Sequence, residues 1–123
     1  MDTQFMELFG KFYDALFFAG QSKVVIEEVG KLLPYADVPG VPENAIRMLD
    51  TLNLPLSPKY GEELTTAAVL LLKAYFHLAR DDEFMASICI EAILNIPKWR
   101  VLYGRKTLDE IMEEAQWFKD NYL

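Results

Sequence analysis

The only histidine, His77, is the side chain with the widest range of chemistry, because imidazole binds metals and moves protons near neutral pH. Asp81 follows four residues later, which is one helical turn, so the two have the spacing of half a metal site. A metal site needs three or four ligands, and no others occur at matching spacing. We therefore interpret His77 as partly buried near a helix end, where a positive charge suits the dipole. No metal and no cofactor are predicted.

Acidic residues form four clusters along the sequence: Glu27-Glu28, Glu62-Glu63, Asp81-Asp82-Glu83 and Glu113-Glu114. Paired carboxylates can act as acid and base or hold two metal ions. Di-metal bundles also use a Glu-x-x-His motif, and Ala74 stands three residues before His77 where that motif requires Glu. The clusters are therefore interpreted as solvated helix ends and faces. An enzyme or ligand-binding bundle that uses Glu62, Glu63 and His77 is the third hypothesis for function.

The remaining chemical motifs are also weak. Cys89 is the only cysteine and lies in the apolar run Ala86–Ala92, so we predict a buried, inert thiol without an internal disulfide. The glycines stand apart and form no GxxxxGK[ST] phosphate loop. The sequence therefore predicts a protein that is not an enzyme.

Helical spacing of apolar residues predicts an all-α fold of five or six helices, packed as antiparallel hairpins in a single domain over residues 1–123. The central helix is placed at Glu62–Arg80, because it is apolar on nearly every side. An earlier start, with Ser57-Pro58 as the cap and the helix running through Gly61, is the alternative. Asp81-Asp82 is predicted to give the N-cap of the helix that follows, from which Phe84 faces inward, and Thr107 is predicted to cap the last helix. The predicted helices are Thr3–Ala19, Lys23–Leu33, Glu43–Leu52, Glu62–Arg80, Glu83–Asn95 and Leu108–Asn121.

Net charge and hydropathy exclude several classes of partner. The charge of −7 disfavours nucleic acid and anionic membranes, because both are bound by clustered Lys and Arg. The longest apolar run, Ala67–Leu72, is too short for a membrane helix. The opening residues MDTQFMELF carry acids and no basic segment, so a signal peptide is not expected. We expect a cytoplasmic protein.

Two helical hairpins share a pattern. In the first, Phe9-Gly10 precedes Tyr13. In the second, about 62 residues later, Leu71-Leu72 precedes Tyr75 and the small residue Ala79. Both hairpins resemble tetratricopeptide repeats, in which small residues let helices approach and an aromatic side chain fills the groove. The resemblance implies a right-handed superhelical arrangement whose concave face, lined by the helices of Tyr13 and Tyr75, binds a peptide. An ordinary helical bundle explains the same spacing.

The segment KWRVLYGRK, before the last helix, places aromatic residues among basic ones. Trp99, Arg100 and Tyr103 are candidate partner-binding residues, because Trp, Tyr and Arg dominate the binding energy of protein interfaces. The alternative is that Trp99 and Tyr103 pack on the last helix against Trp117 and Phe118.

The leading hypothesis for function is a small acidic module that binds another protein or peptide. The second is an acidic inhibitor, of the immunity-protein or antitoxin type, that covers a basic surface of its partner. Homo-oligomerisation is a further expectation if some of the aromatic residues, 13% of the chain, lie outside the core.

Overall fold

The computed structural model describes residues 3–16, 22–58, 62–97 and 105–123. Within these ranges the chain is helical and contains no strand, which confirms the all-α fold class. A 3₁₀ segment, Leu33–Asp37, extends the second helix past Pro34, where the sequence predicted a stop. The described α-helices are α1 (Thr3–Asp14), α2 (Ser22–Leu32), α3 (Val41–Asp50), α4 (Glu63–Ala79), α5 (Glu83–Leu94) and α6 (Arg105–Tyr122).

The centre of the fold is α4, which packs against α2, α3, α5 and α6. Eleven of its seventeen residues are buried, including every residue from Thr66 to Leu72. A helix that is apolar all round needs neighbours on all sides, and α4 has them. The sequence-based placement of the central helix is confirmed.

The first helix is fixed to the core by aromatic side chains on one stripe. Phe5, Phe9 and Phe12 are buried, at the three- and four-residue spacing that places them on one face of α1. The Phe5 ring meets Phe76 of α4 edge to face, with ring centroids 6.3 Å apart. It also packs against Tyr35, at 5.4 Å. Aromatic contacts therefore join α1 to both α4 and the 3₁₀ segment.

Two ion pairs flank the contact between α3 and α4. Asp50 Oδ1 lies 2.6 Å from Lys73 Nζ, and Glu43 Oε1 lies 3.8 Å from Arg80 Nε. The partners are seven residues apart on each helix and run in opposite order, so the two helices are antiparallel. Because all four side chains are partly exposed, each pair contributes at most about 1 kcal/mol to stability.

The tight turn from α4 to α5 follows the predicted capping. Asp81 has a φ of 59°, and the Asp82 carboxylate accepts a hydrogen bond from the Met85 backbone N–H at 3.1 Å. The inward prediction for Phe84 is wrong, because its side chain is 73% exposed. Phe84 lies two residues before the buried Ala86, about 200° around the helix, on the opposite face.

The start of α6 also differs from the prediction. The helix begins at Arg105, so Thr107 occupies its third position and is not the N-cap. The buried residues of α6, namely Leu108, Ile111, Ala115 and Phe118, recur at helical spacing and form one apolar stripe.

The small residues of the tetratricopeptide pattern do not mark close helix crossings. Gly10 and Ala79 are exposed, and a Cβ added at Gly10 would meet no described atom within 4 Å. The physical reason offered for the pattern is therefore not met at these two positions. In the described ranges the structure contains no sign of tetratricopeptide repeats.

Candidate functional site

A cleft of about 390 Å³ lies between α2 and α6, above α4. Its apolar lining comes from three helices and the adjoining 3₁₀ segment, and its polar lining consists of three carboxylates on α6. The lining residues are Ile26, Val29, Gly30, Leu33, Leu71, Glu110, Ile111, Glu113 and Glu114. An apolar depression with a few polar groups at its edge is the usual form of a protein binding site.

The sequence of α2 explains why the cleft is open on that side. Ile26, Val29 and Leu33 recur at helical spacing, so α2 and the start of the 3₁₀ segment present an apolar face to the cleft. Gly30 lies on the same side, is exposed, and contributes no side chain. A Cβ added there would meet no described atom within 4 Å. The contact between α2 and α6 is also sparse compared with that between α4 and α5, which leaves Leu71 as the floor.

The acidic rim follows from the register of α6. Ile111 and Ala115 turn inward, which leaves Glu110, Glu113 and Glu114 exposed beside them. In the described ranges none of these three carboxylates forms an ion pair, whereas the nearby Lys119 is paired with Glu91 of α5 at 2.7 Å. Among the described residues, the rim is therefore a negative surface without paired cations at the edge of an apolar cleft.

Of the two tyrosines in the predicted binding face, Tyr75 lies close to this cleft but is not one of its lining residues. It follows Leu71 by one turn of α4, and its ring packs edge to face on Phe118 at 4.9 Å. Burial raises the pKa of its hydroxyl to about 12, with further contributions from Glu114 and Tyr122. The phenol is therefore neutral at physiological pH.

Tyr13 lies elsewhere, against α3. Its hydroxyl donates a hydrogen bond to the Met48 carbonyl at 3.0 Å, and its ring packs on Phe9 at 4.9 Å. Neither tyrosine is therefore among the residues that line the cleft, and their role in binding stays a prediction. The other predicted partner-binding residues, Trp99, Arg100 and Tyr103, lie outside the described residues, and their role stays a prediction.

His77 is more deeply buried than the sequence suggested. Its exposed fraction is 6%, and neither ring nitrogen has a hydrogen-bond partner among the described residues. Its nearest carboxylate is Asp82, with Nδ1 4.0 Å from Oδ2, rather than the predicted Asp81. Burial lowers the pKa of His77, so the expected positive charge at the helix end is wrong and the imidazole is neutral at pH 7.

Two members of the acidic clusters are buried, contrary to the prediction of solvated faces. Glu28 is 8% exposed and accepts a hydrogen bond from Lys31 Nζ at 3.1 Å, while Glu63 is 5% exposed. Glu28 lies between Val25 and Leu32 on the inner face of α2, which explains its burial. In the described ranges no three His, Cys, Asp or Glu residues are grouped so as to hold a metal ion.

A second depression, of about 310 Å³, lies between α3 and α4 and contains Asp50, Asn53 and Lys73 in its lining. Its charged groups already satisfy each other, because Lys73 is paired with Asp50. The cleft between α2 and α6 is therefore the stronger candidate site. Sequence reasoning missed its lining, although an isolated glycine inside a helical pattern is a signal for such a position.

The predicted burial of Cys89 is confirmed, since its exposed fraction is 1%. Burial raises the pKa of the thiol to about 11 from 9.0, which reduces the thiolate fraction about a hundredfold. We expect a thiol-specific reagent at pH 8 to label the native protein at least about a hundredfold more slowly than the urea-unfolded chain. Stopped labelling followed by mass spectrometry measures both rates. Equal rates would mean that Cys89 is accessible in the native state.

No helix in the described part of the chain is long and apolar enough to cross a membrane. Comparisons of the chain with models of protein families, with curated proteins and with solved structures find no significant match.

Proposed function

We propose that the chain is a non-enzymatic module that binds another protein, and that the cleft between α2 and α6 is the binding surface. The observation that carries the proposal is the open apolar cleft of about 390 Å³ with an exposed acidic edge. Three of its apolar lining residues (Val29, Leu71 and Ile111) belong to the core, so the floor of the cleft is built from well-packed side chains.

The proposed class of function is the one expected from the sequence, but the proposed binding surface is a different one. Tyr75 lies one helical turn from Leu71 of the cleft and packs on Phe118, while Tyr13 contacts α3. No cofactor or metal is part of the proposal. A cytoplasmic, reducing location is part of it, because Cys89 is the only cysteine and cannot form an internal disulfide.

An acidic inhibitor of a basic partner is the second candidate. The observation that favours it is the exposure of Asp109, Glu110, Glu113 and Glu114 on α6, in a chain of net charge −7. Such an inhibitor covers a broad basic surface, so its association weakens steeply with salt and is insensitive to filling one apolar cleft. The glycine variants described next therefore separate the two candidates.

Filling the cleft from Gly30 tests the proposed surface. We expect Gly30→Phe to fold, because the site is exposed and sterically open, and to abolish capture of the partner from an extract of the native cells. Gly10→Phe is the matched control, since Gly10 is also an exposed helical glycine with open space around it but lies on α1, outside the cleft lining. Both variants replace a helix-interior glycine, which favours the helix by up to about 1 kcal/mol.

The measurement is quantitative affinity capture with identification by mass spectrometry, on wild type and both variants. A protein that is captured by wild type and by Gly10→Phe, but not by Gly30→Phe, is the expected result. If Gly30→Phe captures the same proteins in the same amounts as wild type, the cleft is not the binding surface.

A further inference from the structure

We infer that the segment bound in the cleft is a cationic amphipathic helix of the partner, with apolar side chains in the cleft and Lys or Arg against the α6 rim. This inference rests on the proposed function. It adds the chemistry of the partner, which the presence of a cleft alone does not specify.

The first argument is charge complementarity. Glu110, Glu113 and Glu114 are exposed, and in the described ranges none of them has a cationic neighbour in an ion pair. Glu110 and Glu114 are four residues apart, where like charges on a helix repel each other. A cation from outside relieves this repulsion, whereas an acidic partner increases it. The described lining contains no Lys or Arg that would receive an acidic segment.

The second argument is the shape of the surface. The cleft runs between two helices over an apolar floor. Its apolar side chains on α2 and the adjoining 3₁₀ segment recur at helical spacing at Ile26, Val29 and Leu33. Such grooves receive helices whose apolar residues recur at i, i+3 or i+4, and i+7. A single apolar side chain or a flat surface would not use both walls of the cleft.

The third argument is an exposed aromatic residue on the rim side of α6. Trp117 is 49% exposed and follows Glu113 by one turn, so it lies on the same side of α6 as the carboxylates, nearer the end of the helix. Its ring meets Tyr122 edge to face at 5.3 Å. An indole beside carboxylates favours Lys or Arg, because the ring face attracts cations. From Glu110 to Trp117 the rim spans about 10 Å, so the partner helix needs about two to three turns.

Three synthetic helices test the inference. Each has about twelve residues and the same leucine stripe, with Lys, Gln or Glu at the flanking positions. Fluorescence anisotropy of labelled peptides measures Kd for the wild-type protein at about 50 mM and about 500 mM NaCl. We expect the Lys peptide to bind about tenfold more tightly than the Gln peptide at low salt, as three exposed ion pairs would allow. We expect the Glu peptide not to bind.

Variants assign the effect to the rim and the cleft. Glu110→Gln/Glu113→Gln/Glu114→Gln is expected to remove the advantage of the Lys peptide. The control Glu7→Gln/Asp14→Asn/Glu83→Gln makes the same change of net charge at exposed sites outside the cleft lining, and is expected to keep the advantage. Gly30→Phe is expected to abolish binding of the Lys and Gln peptides, and circular dichroism shows that each variant is folded.

Each contrary result would overturn a different part of the inference. Equal Kd values for the Lys and Gln peptides, with binding still lost in Gly30→Phe, would overturn the cationic partner and leave the cleft as a protein-binding surface. Lys-peptide binding that survives Gly30→Phe would show attraction to the acidic surface alone and would overturn the seating of a helix in the cleft. Absence of binding by all three peptides would overturn the inference. The proposed function is tested separately, by affinity capture with the Gly30→Phe and Gly10→Phe variants.

Discussion

Replacement of Phe76 by alanine is expected to lower the free energy of unfolding by about 3–5 kcal/mol. Phe76 is fully buried in α4, and its ring meets Phe5 of α1 at 6.3 Å. The substitution removes this contact and leaves a cavity at the place where the first helix joins the central one. Since domains of this kind have a total stability of about 5–15 kcal/mol, the loss is a large fraction of the whole.

Phe84→Ala is the matched control, because it deletes the same atoms from a side chain that is 73% exposed. We expect it to change the stability by no more than about 0.5 kcal/mol. Urea unfolding followed by far-ultraviolet circular dichroism measures both. Phe76→Leu, which removes less volume, supplies a value if Phe76→Ala does not fold. Equal losses for Phe76→Ala and Phe84→Ala would contradict the described packing of α1, α4 and α5.

Acidification below about pH 6.5 is expected to destabilise the protein through His77. Burial lowers the pKa of this imidazole below its ordinary value of 6.5, so the unfolded chain binds the proton more readily than the folded one. The stabilising contribution of the neutral form is therefore complete above pH 6.5. It is lost progressively as the pH falls through 6.5 to the lower folded-state pKa. Asp82 and Asp50 oppose the shift, while Lys73 and Arg80 add to it.

His77→Leu isolates this contribution, because leucine has similar volume and does not titrate. At pH 7.5 we expect the variant to equal the wild type or to exceed its stability by up to about 2 kcal/mol, since the buried ring nitrogens have no hydrogen-bond partner among the described residues. Between pH 7.5 and 5 the wild type is expected to lose more stability than the variant. Urea unfolding across this range, at constant ionic strength, measures the difference.

Two results would contradict this account of His77. A marked loss of stability in His77→Leu at pH 7.5 would show that the imidazole makes a favourable polar contact in the native state. An equal decline of both proteins between pH 7.5 and 5 would assign the acid sensitivity to other groups. Substitution of Asp82 complements the test at His77, because the Asp82 carboxylate both caps α5 and lies 4.0 Å from His77. Asp82→Asn retains the capping oxygen and removes the charge.

The helical periodicity of apolar residues and the local capping residues predicted most of the fold. The stripe of Phe5, Phe9 and Phe12 is buried as its spacing predicts, and Asp82 caps α5 as its residue type predicts. These features depend on residues within one or two turns of each other, so the amino-acid order contains the relevant information. The burial of Cys89 follows from the same local pattern.

The burial of single charged and aromatic side chains was decided by the register between helices. Phe84 and Glu28 each lie beside apolar neighbours in the chain, yet Phe84 faces outward and Glu28 faces inward. A shift of one residue in the register rotates the helix by about 100°, which can exchange an inward position for an outward one. The local sequence pattern does not determine this rotation. Thr107 illustrates a related limit, because a capping motif does not exclude a helix that begins two residues earlier.

The sequence by itself determined an acidic, all-helical chain with α4 at its centre, because net charge and helical periodicity are properties of the residues in order. Only the tertiary structure brought Gly30 of α2, Leu71 of α4 and Glu114 of α6 to one cleft. These residues are far apart in the chain, and their meeting depends on the spacing and register at which α2 and α6 pack on α4. That geometry arises from many side-chain contacts acting together, and no segment contains it alone.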